Sequence, residues 1–211
     1  METKRKKVPS PLLYNIIFLV KRPKTALTYA SWMWKRAQYA NYYKEIFIEQ
    51  HYLKLVRALR PNTTILDLGS CIGDTPIYFA QYPEVVKIIG YEVDKDFYKL
   101  SLEHLELSQI KDKDIKLINE PITKERLLEF FKDHPNEQIA IKSDIEGAEL
   151  EVFKDVEIPD NVYALIFETH ESSAMLTELL EKQGFRISYK ASEIGIIFNE
   201  LGMLFAVREQ R

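Results

Sequence analysis

From residue 63 onward, short β-branched runs alternate with amphipathic stretches, and this alternation limits the fold more than any other feature of the chain. TTILDLG (63–69), VVKIIGYEV (85–93), DIKLIN (114–119), QIAIKSD (138–144) and NVYALIFE (161–168) read as strands. PIYFAQY, KDFYKLSLEHLELS, ERLLEFFKD, GAELEVFK and SSAMLTELLEKQG read as the helices that follow them. Asp94 is placed to cap the second of these helices, in which Phe97, Leu100 and Leu105 fall near one face. Gly184 suits the left-handed position that closes the last. Strands separated in this way pair in parallel, with helices on both faces of the sheet. FRISYK and MLFAVRE follow with no helix between them and a long loop (191–202), which predicts a hairpin with one antiparallel strand. The expected fold is α/β: a doubly wound, Rossmann-like sheet of seven mostly parallel strands. Its ligand belongs beyond the carboxyl ends of the central strands.

Charge divides the chain. Residues 1–60 hold 13 Lys+Arg against 3 Asp+Glu, and the remaining 151 residues hold 16 against 29. The expected organisation is a basic, aromatic-rich N-terminal helical extension over 1–60 and the α/β domain over 61–211. Residues 25–59 read as helical because they contain neither Pro nor Gly, and Arg60-Pro61-Asn62 ends the pattern. Leu12–Val20 is too short for a bilayer span, which needs about 20 apolar residues. It suits a helix packed on the domain or an interfacial anchor giving peripheral membrane contact through residues 1–24. The basic segment equally suits nucleic acid, since Trp32, Trp34, Tyr39, Tyr42 and Tyr43 interleave with Lys35, Arg36 and Lys44. The single cysteine, Cys71, excludes an internal disulfide and a cysteine-rich zinc site. That favours a cytoplasmic location, and the interfacial-anchor reading of residues 1–24 would set it at the inner membrane surface.

The first strand ends Asp67-Leu-Gly69-Ser70-Cys71-Ile-Gly73-Asp74-Thr75. Gly69 permits a sharp turn and Gly73 a close approach of the next helix. A dinucleotide fingerprint would place its third glycine at position 74, where an aspartate would repel pyrophosphate. A ligand without phosphate fits better, and S-adenosylmethionine, with its sulfonium and amino group, tolerates nearby carboxylates. Glu92, at the end of the second strand, lies where an acid can accept both ribose hydroxyls, although a surface charge at a strand end would look the same. Val93 follows it. Asn119 and Glu120, at the end of the third strand, are positioned to contact adenine. Cys71 has no identifiable base beside it, so a structural role is expected there.

Here the chain resembles the class I S-adenosylmethionine-dependent methyltransferases, whose first motif is an acid followed by G-x-G-x-G, with Cys71 replacing the middle glycine. D-x-G-S-x-I-G together with the later K-x-D-I-E-G-A-E-x-x-V is similar to the FkbM group of that superfamily, over residues 60–208. The resemblance implies methyl transfer to a hydroxyl on a sugar, polyketide, lipid-linked glycan or other small molecule. Cofactor contacts are expected from Asp67, Gly69, Ser70, Cys71, Gly73, Asp74, Thr75, Glu92, Val93, Asn119, Glu120 and Asp144.

The segment KSDIEGAELEVF places three carboxylates within six residues at the end of the fourth strand. Glu149 complements a helix start. Asp144 and Glu146, with Glu168 and His170 from the end of the fifth strand, are the candidate catalytic groups. His170 or Glu146 is the candidate general base. Asp144, Glu168 and His170 could instead hold a divalent cation, which is possible chemistry but not required. Asp144 could also serve only to orient the cofactor's methionine portion, and His170 could cap a helix. Lys142 is expected to pair with a neighbouring carboxylate. Two other functions share these features: a nucleic-acid methyltransferase using the basic extension, and a non-catalytic S-adenosylmethionine-binding module.

Overall fold

The computed structural model describes residues 39–170, 172–191 and 201–208. Five strands run parallel: β1 (Thr63–Leu68), β2 (Val85–Tyr91), β3 (Asp114–Ile118), β4 (Gln138–Ser143) and β5 (Val162–His170). β6 (Arg186–Ala191) and β7 (Leu201–Val207) form the hairpin, and β7 inserts between β5 and β6, antiparallel to both. The resulting order is β3-β2-β1-β4-β5-β7-β6. The chain leaves β1 towards one edge and returns to β4 on its other side, so a crevice opens above β1 and β4. Every residue of β1 is buried, as expected of a central strand covered on both faces.

The two faces carry separate cores. Leu66, Leu68, Ile139, Ile141 and Phe167 point to one, against Leu127 and Phe153. Ile65, Ile88, Ala140 and Ile166 point to the other, against Tyr78 and Phe79. Successive strand residues thus serve opposite sides, the period of two that makes a sheet a partition.

The second core also takes Ile46, Phe47, Tyr52, Leu55 and Val56. The change at residue 60 is therefore one of charge and not a break in packing. The long helix expected over 25–59 is also interrupted. Among the described residues it consists of α1 (Ala40–Tyr43), a π-helical turn (Lys44–Ile48) and α2 (Leu53–Ala58). Gln50, at φ 59°, turns the chain between the last two. Tyr43 stacks on Phe47 at 4.4 Å, and the turn carries Ile46 and Phe47 into the core. Residues 1–38, including the 1–24 segment and both tryptophans, lie outside the described residues. Among those described, no helix is long and apolar enough to cross a membrane.

The remaining helices are α3 (Asp74–Phe79), α4 (Lys95–Ser108), α5 (Lys124–Asp133), α6 (Glu149–Phe153) and α7 (Ser173–Lys182). Asp94 caps α4, its carboxylate accepting from the amides of Asp96 and Phe97. The buried face of α4 differs from the apolar stripe expected: it is Leu100, Ser101, His104 and Ser108, with Leu105 only partly covered. Ser101 and His104 are used there because a backbone loop packs on them: Gly73 lies against Ser101, and the Ile72 carbonyl is 2.7 Å from His104 Nδ1.

Candidate functional site

That loop joins β1 to α3. Gly69 sits at φ +77°, and a Cβ there would lie 1.8 Å from the backbone oxygen of Asp144. No other residue fits, so the turn after β1 rests directly on the chain leaving β4. The amides of Gly69 and Ser70 both donate to the carbonyl of Tyr91, which ties the same turn to β2. A Cβ on Gly73 would meet that of Ser101 at 2.9 Å, and this contact explains the serine on α4. Cys71, standing for the middle glycine, adopts φ 46°. Burial, together with Asp74, pushes its thiol pKa up, so it stays protonated and is no nucleophile.

Beneath the loop lies a buried charge pair. Asp67 and Lys142 are register partners on β1 and β4. The ammonium lies 3.2 Å from Asp67 Oδ1 and donates to the carbonyls of Gly69 (2.5 Å) and Leu68 (3.4 Å). Thr75 Oγ donates to Asp67 Oδ2 at 2.5 Å. Burial raises the Asp67 pKa against the pull of Lys142 and Thr75. Burial alone would lower the Lys142 pKa, but Asp67 and Asp144 outweigh it and hold the pKa above its ordinary value.

A cavity of about 440 Å³ opens above the pair, across the ends of β1, β2 and β4. Its floor holds Gly69, Cys71, Asp74 and Thr75. Glu92, 7% exposed, stands in its wall. The amides of Cys71 and Asp94 each donate to one of its oxygens at 2.7 Å, which fixes the carboxylate without using all its lone pairs. Val93 and Glu120 also line the cavity, Glu120 while paired with Arg126.

Four expected cofactor contacts are not on this wall: Gly73 is packed against Ser101, and Asp67, Ser70 and Asn119 are engaged elsewhere. Asp67 is consumed by the pair below. Ser70 is fully buried against Gly90. Asn119 donates its amide nitrogen to the carbonyls of Glu92 (2.8 Å) and Val93 (3.2 Å), which braces the β2 end.

Asp144, Glu146 and Glu168 line the same cavity. Glu146 is exposed at φ 54°. Glu149, in contrast, turns inward, and its Oε1 accepts from the amides of Ile145 (3.2 Å) and Gly147 (3.3 Å) to fix the loop. His170 ends β5 by its backbone, and its side chain lies outside the described residues. Among the described residues, no group of three His, Cys, Asp or Glu side chains is arranged to hold a metal ion.

The sequence reading missed one wall entirely. Tyr42, Glu45, Ile46, His51 and Tyr52 roof the cavity from the N-terminal helices. Tyr52 donates to Asp144 Oδ2 at 3.4 Å, and its pKa lies well above ordinary, through burial first and Asp144 second. It therefore acts as a neutral donor. The signal available was the density of aromatics over 39–52, which equally describes a helix packed on a core.

No protein-family model matches the chain, and no curated protein matches its sequence. Solved structures do match it by fold. A protein of the NADB-Rossmann superfamily from Streptococcus agalactiae superposes with a TM-score of 0.54 at 18% identity, over 77% of this chain and 69% of its own. Precorrin-6y C5,15-methyltransferase from Geobacter metallireducens gives 0.54 at 14%, over 76% and 88%. TrmK of M. capricolum, in complex with S-adenosyl-homocysteine, gives 0.53 at 17%, over 74% and 68%. At such identities the likeness is one of fold: this chain has the Rossmann-like sheet found in methyltransferases.

Proposed function

We infer that the chain is an S-adenosylmethionine-dependent methyltransferase acting on a hydroxyl of a sugar, lipid-linked glycan or other small acceptor. The observation that carries this is Glu92, a buried carboxylate held by two amides at the end of β2. It stands where a ribose diol can donate to both its oxygens. The rest of the cavity fits the same group. Its volume suits a nucleoside bearing an amino-acid arm, the turn at Gly69 carries no side chain to obstruct it, and the wall is rich in carboxylates and poor in cations, which suits a cationic arm. The neighbouring folds include methyltransferases, one of them holding the demethylated cofactor. The motif resemblance to the FkbM group supports the hydroxyl acceptor.

The bound cofactor supplies an activated methyl carbon, so this chain's residues have two tasks: alignment and proton removal. Asp144, oriented by Tyr52, and Glu146 border the space where an acceptor would approach. The proposed base is His170 or Glu146, and the His170→Ala variant decides between them. Calorimetry with S-adenosylmethionine is expected to give binding that Glu92→Ala weakens by about 100-fold, the worth of a charged bidentate contact. His170→Ala is expected to spare that binding and slow radiolabelled methyl transfer by about 100-fold or more. Unchanged affinity in the first variant would remove Glu92 from the cofactor site, and unchanged turnover in the second would pass the base role to Glu146.

A nucleic-acid acceptor competes through Tyr39 and Tyr42, which cluster with Phe97 at 6.3 Å beside the cavity. Against it, Glu45, Glu146 and Glu168 on the wall repel phosphates. Cofactor binding without transfer to any acceptor class would leave the non-catalytic binding module.

A further inference from the structure

Resting on that cofactor assignment, we propose that Asp74 is the anchor for a primary ammonium group, the α-amino group of the cofactor's amino-acid arm. Asp74 lines the cavity, is 2% exposed, and its Oδ1 meets no hydrogen-bond donor. A buried carboxylate oxygen left in this way is costly unless a proton or a cation joins it.

The acceptors packed around the turn are mostly engaged, and Asp144, half-buried with Oδ2 accepting from Tyr52 at 3.4 Å, is the rival carboxylate on the same cavity. Asp67 is held by Lys142 and Thr75, and the carbonyl of Gly69 also accepts from Lys142. Glu92 is fixed by two amides farther along the wall, towards β2. Lys142 thus fills the acceptors under the turn with the protein's own cation. Asp74, one residue past Gly73, is set apart among the described carboxylates of the lining by being buried with an oxygen that meets no donor, so a preference for the amine that Asp74→Asn retains passes the role to Asp144.

The charge around Asp74 makes this binding depend on pH. Burial raises its pKa to about 7, with Asp67 on β1 adding to the rise, while Lys142 on β4 and the amides at the start of α3 oppose it. The phenols of Tyr42 and Tyr52 from the roof and the thiol of Cys71 also face it, and all three remain neutral near pH 7. A carboxyl of this kind is ionised above pH 7 and protonated below, so its hold on an ammonium strengthens as pH rises through that value.

The test is calorimetry of the full chain with S-adenosylhomocysteine and with its desamino analogue. The wild type is expected to prefer the amine by about tenfold or more at about pH 7.5, with the preference shrinking at about pH 5.5. Asp74→Asn is expected to lose most of the preference at both values while binding the desamino analogue like wild type. The wild-type comparison stands alone if the variant fails to fold. Equal binding of the two compounds by wild type, or a preference that Asp74→Asn retains, overturns the anchor and leaves the cofactor assignment intact. Binding of neither compound overturns the cofactor assignment and the anchor with it.

Discussion

Replacing Lys142 with methionine is expected to destabilise the fold by about 3–5 kcal/mol, measured by urea denaturation. The reason is the carboxylate it leaves behind. Asp67 is fully buried, and without the ammonium it keeps only Thr75 as a donor. The carbonyls of Gly69 and Leu68 lose their shared donor as well. The double variant Asp67→Asn, Lys142→Met removes the stranded charge and is expected to recover most of the loss, since replacing both members of a buried pair is far cheaper than replacing one.

The same variant should show a distinctive pH dependence. The folded-state pKa of Asp67 is already raised by burial, and loss of Lys142 raises it further. A raised carboxyl keeps its proton in the folded chain at pH values where the unfolded chain has released it. The stability so gained is fully present below the unfolded value, near pH 4, and is lost as pH rises. The deficit of Lys142→Met should therefore shrink between about pH 7 and about pH 5. A loss below about 1 kcal/mol, or a deficit flat across that interval, would mean that the pair does not hold β1 to β4.

The pair also marks where sequence reading stops. Each member was legible alone: an acid ending one apolar run, and a lysine inside another. That they touch depends on β1 and β4 being neighbours, and 75 positions of sequence separate them. The strands themselves were legible because β-branched runs end at glycine or acid, and the α4 start because Asp94 has no rival as cap. The roof of the cavity was not. A π-helical turn shifts the phase of the 3.6-residue period within residues 44–48, so apolar spacing no longer reports which aromatics face inward. Asn119 shows a different limit. Its place at a strand end is legible in the sequence, but the two carbonyls at the β2 end that take its amide nitrogen are not.

Gly69→Ala tests the geometry that all the site residues share. The added methyl would overlap the Asp144 carbonyl oxygen at 1.8 Å, and the backbone would have to keep φ +77° with a side chain present. The conformational part costs about 1 kcal/mol, and forcing apart two backbones in a packed centre adds about 1–3 kcal/mol. Gly184→Ala is the control, because Gly184 has φ +82° but nothing within 4 Å of the added carbon. It carries the conformational cost alone. The difference between the two urea midpoints isolates the contact between the turn and β4. Because relief can come only from moving the turn away from Asp144, Gly69→Ala is expected to abolish cofactor binding by calorimetry, whereas Gly184→Ala leaves it unchanged. Equal stability loss in the two variants, or cofactor affinity preserved in Gly69→Ala, would show that the turn does not rest on the β4 exit as tightly as the backbone contact requires.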